Sequence, residues 1–338
     1  MRLTLFLLFI ISASSHIICQ DLGNEWISFA SNSNDYYRFR VSGQGVYRIS
    51  SSELSVAGVN LGQVNGANFQ LFYRGQEVPI YTSTPGPLGS TDYLEFFADV
   101  HDGAFDSLLF KDKSWQLHQY RSLFTDSATL FLTWNSLTLN ERHDATLNDL
   151  SNLPQKDTSF RHEELMVYTS HYHSGKPFQI SSNSLPFNFS DFDEGEGRTD
   201  YFFTSSTQSY SIPVYNQLGV DSADFEIGIV GKSNRIALDP DHHVLISIGN
   251  DTIDRTFDGY EIFRATKKID ASGLTSPYTN CAIQAVADLY DPDRLAVSYI
   301  KLNYNRGFDL NNKQEFMFNI VGDSANRKYL ELENFNDL

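Results

Sequence analysis

The chain has 338 residues, with 42 acidic against 25 basic side chains and a formal net charge of −17. A surface this negative repels phosphate backbones and anionic lipid headgroups, which argues against nucleic-acid binding and against docking on acidic membranes. Aromatic residues make up 14% of the sequence, mostly Phe and Tyr, which is too many for a disordered chain and suits strands.

Met1-Arg2 precedes an apolar run from Leu3 to Ile11, which passes into the small and polar residues Ser12 to Ser15. A basic start followed by a short apolar stretch is the pattern of a secretory signal, and this run is too short to span a bilayer. A signal peptide is expected over 1–19, with cleavage after Ser15 or Cys19. Cys19 admits a lipoprotein reading, but Ile18 stands where a small residue is wanted, so ordinary secretion is the expectation. The protein is then secreted or on the cell surface, exported through the Sec pathway, and has no membrane-spanning segment.

Tyr36 to Val41 alternates, with Tyr37, Phe39 and Val41 on one face and Arg38 and Arg40 on the other, as in a half-buried strand. Ser42-Gly43-Gln44-Gly45 is a turn signal and Val46 to Ile49 a second strand, so the pair is expected to form a hairpin. Ser50 to Ala57 reads as a short helix, with serine at the N-cap, Glu53 in the first turn and Gly58 as the stop. Phe69, Leu71 and Tyr73 mark a third strand. Gly75-Gln76 suits a type II′ turn, and Pro79 places the returning strand, Glu77 to Tyr81, at an edge. Pro85-Gly86-Pro87 and Gly89 form a connector before the strand Asp92 to Ala98. Asp99, Asp102 and Asp106 follow around Gly103; an Asp-Gly turn is the expectation and a calcium ion the alternative, since the spacing matches no calcium-loop pattern. Leu123 to Trp134 closes the first domain, and polar residues from Asn135 to Lys156 mark a boundary near Pro154.

The expected organisation is a signal peptide at 1–19, a β domain at 20–155, a second β domain at 156–325, and the start of a truncated further segment at 326–338. In the second domain, His162, His171 and His173 lie close in sequence. His171 and His173 can share one strand face, but two imidazoles without a third ligand do not make a zinc site. Asp191, Asp193, Glu194, Glu196 and Asp200 crowd a Gly-containing stretch before an expected strand at Tyr201 to Thr204. A charged loop is the expectation there and calcium the alternative cofactor. Further strands are expected at Ser209 to Tyr215, Phe225 to Ile229, Val244 to Ile248, Tyr260 to Lys267, Cys281 to Leu289 and Ser298 to Tyr304. His242-His243 is expected to cap a strand entrance, with no partner legible nearby. Many short strands and little helical periodicity give an all-β fold: two antiparallel β domains, the second a jelly-roll-like sandwich, with minor short helices.

With Cys19 removed, Cys281 stands alone inside an apolar stretch. A reactive thiolate needs a histidine or a helix N-terminus to lower its pKa, and no histidine follows His243, so Cys281 is expected to be structural. No phosphate-binding loop, dinucleotide glycine pattern, nucleophile elbow, metalloprotease helix or paired-cysteine motif occurs. No catalytic residue is therefore assigned.

The ordered set of short motifs nevertheless resembles a family. Gly43-Gln44-Gly45-Val46-Tyr47-Arg48-Ile49, Leu71 to Ile80, Asp92 to Phe97, Asp102 to Asp106, Ser122 to Asp126 and Phe131 to Trp134 come first. Gly195-Glu196-Gly197-Arg198, His242-His243-Val244 and Ser298 to Tyr304 continue in the same order. Together they resemble the N-terminal region of gingipain-like cysteine peptidases of Bacteroidetes, which include the type IX secretion sortase group. The resemblance covers roughly 36 to 308, and no single motif in it is specific. It implies a non-catalytic scaffold or prodomain-like region, whose partners are a downstream peptidase domain in the same polypeptide and components of type IX secretion. Cys281 lacks the family's nucleophile context, so no catalytic residue carries over. The alternative is a secreted β-sandwich module that binds carbohydrate or protein at the cell surface. A glycosidase with paired carboxylates, complete within this chain, is the lesser third reading.

Overall fold

A computed structural model describes residues 35–135, 140–143, 149–180, 184–218, 222–320 and 327–336. The expected signal peptide and Cys19 lie outside these residues. The chain divides into two compact units: Met1–Ala98 with Ala128–Ala145, and Asp99–Ser127 with Thr146–Leu338.

In the first unit, β1 (Tyr37–Val41) alternates as its sequence implies, with Val41 buried and Arg38 and Arg40 exposed. β2 (Gly45–Ser50) follows, but the two do not form the expected hairpin. β1 pairs with β7 (Ala128–Trp134), whereas β2 pairs with β6 (Tyr93–Ala98). The local turn signal was correct; the hydrogen-bonding partners lie far along the chain. The helix α1 (Ser51–Val56) forms as expected, with a complete capping box. Ser50 accepts from the Glu53 N–H, and the Glu53 carboxylate accepts from the Ser50 N–H at 2.7 Å.

The turn after β3 (Phe69–Tyr73) corrects a second expectation. Tyr73 pairs with Gln76, so the central residues are Arg74 and Gly75, both at positive φ (49° and 81°). That is a type I′ turn centred one residue earlier than the expected Gly75-Gln76. Pro79 interrupts the return into β4 (Gln76–Val78) and β5 (Ile80–Thr82), each at the edge of a different sheet. Sheets β1-β7-β3-β4 and β2-β6-β5 enclose a core that includes Phe69, Leu71, Leu94, Phe96, Leu130 and Leu132.

The stretch Asp99–Ser127, expected in the first domain, belongs to the second unit. It has no strand periodicity of its own. Leu117 packs with Val230 and Ala296, and Arg264 donates to the Gln116 carbonyl at 2.5 Å.

The second unit is built from β8 (Phe160–Val167), β9 (His171–Ser174), β10 (Glu196–Thr199), β11 (Phe203–Thr204), β12 (Thr207–Pro213), β13 (Ser222–Gly231), β14 (His242–Ile248), β15 (Asp251–Phe257), β16 (Ile262–Asp270), β17 (Tyr278–Ala285), β18 (Arg294–Arg306), β19 (Asp309–Lys313) and β20 (Glu333–Phe335). One sheet runs β11-β18-β13-β16, with β8 also on β18; the other runs β12-β17-β14-β15. Their inner faces share one core, in which Phe225, Ile227, Ile229, Val244, Ile246 and Ile283 are fully buried. Each such side chain contributes about 1.5–3 kcal/mol of hydrophobic stabilisation. The molecule is thus all-β with antiparallel sandwich sheets, as the sequence implies. The described part of 326–338, expected to begin a separate segment, is hydrogen-bonded into this unit: β20 pairs parallel with β19, and Asp157 donates to the Tyr329 carbonyl at 2.9 Å. No helix among the described residues is long and apolar enough to cross a membrane.

Candidate functional site

The acidic run is structured rather than loose. Gly195 (φ 73°) makes the turn into β10, and a Cβ there would lie 2.7 Å from the Tyr260 carbonyl oxygen. The expected charged loop therefore ends sooner than the sequence suggests, because Glu196–Thr199 is already a strand on β9. Its carboxylates take separate partners. Glu196, buried, accepts from the Tyr172 hydroxyl and from the Asp193 N–H at 3.0 Å. Glu194 faces Lys176 at 3.6 Å, and burial raises its pKa. Asp200 accepts from the Tyr210 hydroxyl at 3.2 Å, whereas Asp191 is exposed. Asp193 is buried, with one oxygen 3.9 Å from the Lys111 ammonium.

Asp99, Asp102 and Asp106 are likewise dispersed. The first two accept from the backbone N–H groups of Val100 and Ala104. Asp106, buried, accepts from the Leu123 N–H at 2.7 Å and the Ser122 hydroxyl at 3.3 Å. Among the described residues no three His, Cys, Asp or Glu side chains come together in a way that could hold a metal ion.

His171 and His173 do share one face of β9, with ring centroids 4.4 Å apart. Burial, with the nearby charges of Lys232 and His171, pushes the His173 pKa down to about 3, so that imidazole is neutral. Lys232 donates to the Gly195 carbonyl at 2.7 Å, and burial pushes its own pKa down to about 7.

The histidine pair at the start of β14 has the partners that the sequence did not reveal. His242 is fully buried, and its Nδ1 lies 2.5 Å from the Asp293 carboxylate. Its Nε2 faces the carbonyls of Gly259 (2.7 Å) and Ser233 (3.0 Å) and lies 3.6 Å from the Asp241 carboxylate, all acceptors, so that nitrogen carries hydrogen. Burial opposes protonation, but Asp293 and Asp241 outweigh it and the pKa is raised. His243 sits between Asp288 (2.8 Å) and Asp254 (2.9 Å), and its pKa is raised in the same way. His242 and Asp293 are 51 residues apart in sequence, beyond any local motif. With no solvent access, their pair is a structural clamp and not a proton shuttle. Cys281 is also internal: it is fully buried in β17, and burial pushes its thiol up to about 12.

The most exposed chemistry of this unit is apolar and went unremarked in the sequence. Phe178 and Phe187 form an antiparallel bridge, exchanging backbone hydrogen bonds of 2.8 and 2.9 Å. The Phe189 ring packs against both, at 4.6 and 5.5 Å between centroids. Lys111 rests over Phe189 at 4.0 Å. Beyond the bridge, Ile180 and Leu185 are 86% and 88% exposed. Next to the loop, Phe192 is tied by backbone hydrogen bonds to Leu109 and Lys111 and touches the rings of Phe110 and Phe124. Phe105, Leu108 and Phe124 there are more than half exposed (55%, 66% and 67%). An apolar surface of this kind marks an interaction site more often than chance exposure. Its signal was available: two short alternating runs, Phe178 with Ile180 and Leu185 with Phe187 and Phe189, in a stretch otherwise rich in Ser and Asn.

No family model matches the chain, and no curated protein matches it. Among solved structures it is similar to dimeric latent PorU from Porphyromonas gingivalis at 10% identity, over 81% of this chain and 24% of that one, with a TM-score of 0.46. It is also similar to the CBM36-1 domain of a multidomain xylanase from the hindgut metagenome of Trinervitermes trinervoides (13% identity, 42% of this chain, 95% of that one, TM-score 0.23). A third is a β-porphyranase of glycoside hydrolase family 86 from Bacteroides plebeius (11% identity, 81% of this chain, 34% of that one, TM-score 0.23). The chain thus spans about a quarter of the PorU length, and similarities of this size do not assign it to a family.

Proposed function

We propose that this chain is the non-catalytic β region of a larger exported polypeptide, and that its second unit holds a gingipain-like cysteine peptidase domain of that polypeptide. The observation that carries the reading is the exposed apolar loop around Phe178, Ile180, Leu185, Phe187 and Phe189. A free-standing secreted module gains nothing from presenting such a surface to water, whereas a scaffold needs one for its client domain. The ordered sequence resemblance names the client. Cys281, inert in the sandwich core, supports a role without chemistry of its own. Export through the Sec pathway and a place in type IX secretion belong to the same reading.

The reading frame beyond codon 338 is the first test. An α/β domain with a paired His and Cys supports the proposal; a frame without one overturns it. Given that domain, binding to the present chain is measured with the double variant Ile180→Asp, Leu185→Asp. Loss of two central apolar contacts weakens binding at least about 30-fold, in the range of interface hot spots. Unchanged affinity contradicts the docking role.

A further inference from the structure

Gly228 on β13 faces Tyr299 on β18. A Cβ there would lie 2.4 Å from Tyr299 Cε1, so only glycine lets that ring lie across β13 on the outer face of the sheet. Tyr299 then donates to Glu226 at 2.7 Å, Lys301 pairs with Glu226 at 2.8 Å, and Lys301 also reaches the Tyr120 hydroxyl at 2.9 Å. The segment from Lys113 to Tyr120 lies over this face and leaves a cleft of about 380 Å³, within the size range of small-molecule sites.

Glu226 and Lys301 neutralise each other. Arg264 spends one nitrogen, Nη2, on the carbonyls of residues 114, 116 and 117, leaving Nε and Nη1 without partners among the described residues. The Lys113 ammonium makes no ion pair or hydrogen bond among them. The walls therefore carry an unbalanced positive charge in a chain of net charge −17. His118 adds a shielded Nδ1 with no partner, and burial, with Arg264 and Arg121, pushes its pKa down to about 4, so it is neutral. Tyr120, Glu226 and Gln119 bring both donors and acceptors.

We propose that this cleft binds a saccharide bearing a carboxylate, such as a uronic acid unit. Arg264 and Lys113 receive the carboxylate through charge-assisted hydrogen bonds. Sugar hydroxyls, each donor and acceptor at once, meet Tyr120, Glu226 and Gln119. An acidic peptide suits the cleft less, because beyond its carboxylates it offers no array of hydroxyls to Tyr120, Glu226 and Gln119. The site is independent of the apolar loop.

The full chain is titrated calorimetrically with oligosaccharides of galacturonate, of alginate and of glucuronoxylan, and with their methyl esters. At least one acidic series binds saturably, and esterification or Lys113→Gln weakens it about tenfold, as expected for loss of one charge-assisted contact. Arg264→Gln does the same, with its thermal melt checked because Arg264 also holds the overlying backbone. Lys113 has no such structural duty, so its variant keeps the test decisive. Ile180→Asp leaves sugar binding unchanged. Silence across all three acidic series, equal binding of the esters, or tighter binding of an Asp/Glu decamer overturns the proposal.

Discussion

Phe225, Ile227 and Ile229 on β13 alternate along the chain, and so do Phe178 with Ile180 and Leu185 with Phe187 and Phe189, in two short runs. The first set is fully buried between two sheets; in the second, Ile180 and Leu185 are 86% and 88% exposed. Residue type and period cannot produce that difference. It arises because β13 has strands hydrogen-bonded on both edges and a second sheet across the core, whereas the described loop residues are joined by an isolated bridge between Phe178 and Phe187 and not built into either of those sheets. One set supplies folding energy. The other remains available for contact with something else.

The contrast can be broken first at its buried end. Phe225→Ala removes a fully buried ring and lowers stability by about 3–5 kcal/mol, read from the urea midpoint. Asp293→Ala leaves the His242 imidazole buried without its counter-charge, and a loss of about 3–5 kcal/mol is expected for a broken internal pair. Gly228→Ala follows. The new methyl displaces the Tyr299 ring from β13, so a loss of about 1–3 kcal/mol is expected, together with a change in tyrosine fluorescence. At the exposed end, Ile180→Ser shifts the melt by no more than about 0.5 kcal/mol.

A pH experiment separates the two histidines from the background. Their folded pKa values are raised above the unfolded value, so their stabilisation is complete below about pH 6.5 and is lost as pH rises through the folded pKa. Lys232 works the other way: its folded pKa, pushed to about 7, lies below its unfolded value, so stability rises with pH above 7. The informative quantity is therefore the stability difference between the unsubstituted chain and His243→Asn. That difference, about 1 kcal/mol at pH 6, shrinks towards zero as the pH rises. A difference independent of pH contradicts the ion pairs of His243 with Asp254 and Asp288.

Most local signals in the sequence were reliable, although the turn after β3 sits one residue earlier than they suggest, and the expected β1–β2 pairing was not. The Ser50–Glu53 capping box, the alternation of β1 and β6 and the edge position of Pro79 are each decided within a few residues, and all three appear in the structure. β1 and β2 looked like a hairpin because the turn between them is visible, whereas β7, the true partner of β1, lies at Ala128–Trp134. β15 escaped notice because Ile253 and Phe257 are its only buried side chains. The Asp293 partner of His242, and the convergence of Tyr120 with Glu226 and Lys301, depend on separations from 51 to 181 residues. The apolar loop is the opposite case: all its residues are local, and only its exposure was hidden.

Backbone hydrogen exchange over residues 178–189 tests the central claim most directly, compared between this chain alone and the polypeptide extended by its downstream frame. Docking of a client domain predicts slowed exchange across Phe178, Ile180, Leu185 and Phe187 in the extended protein, with the β13 core equally protected in both. Equal, fast exchange of the loop in the two proteins would contradict the account.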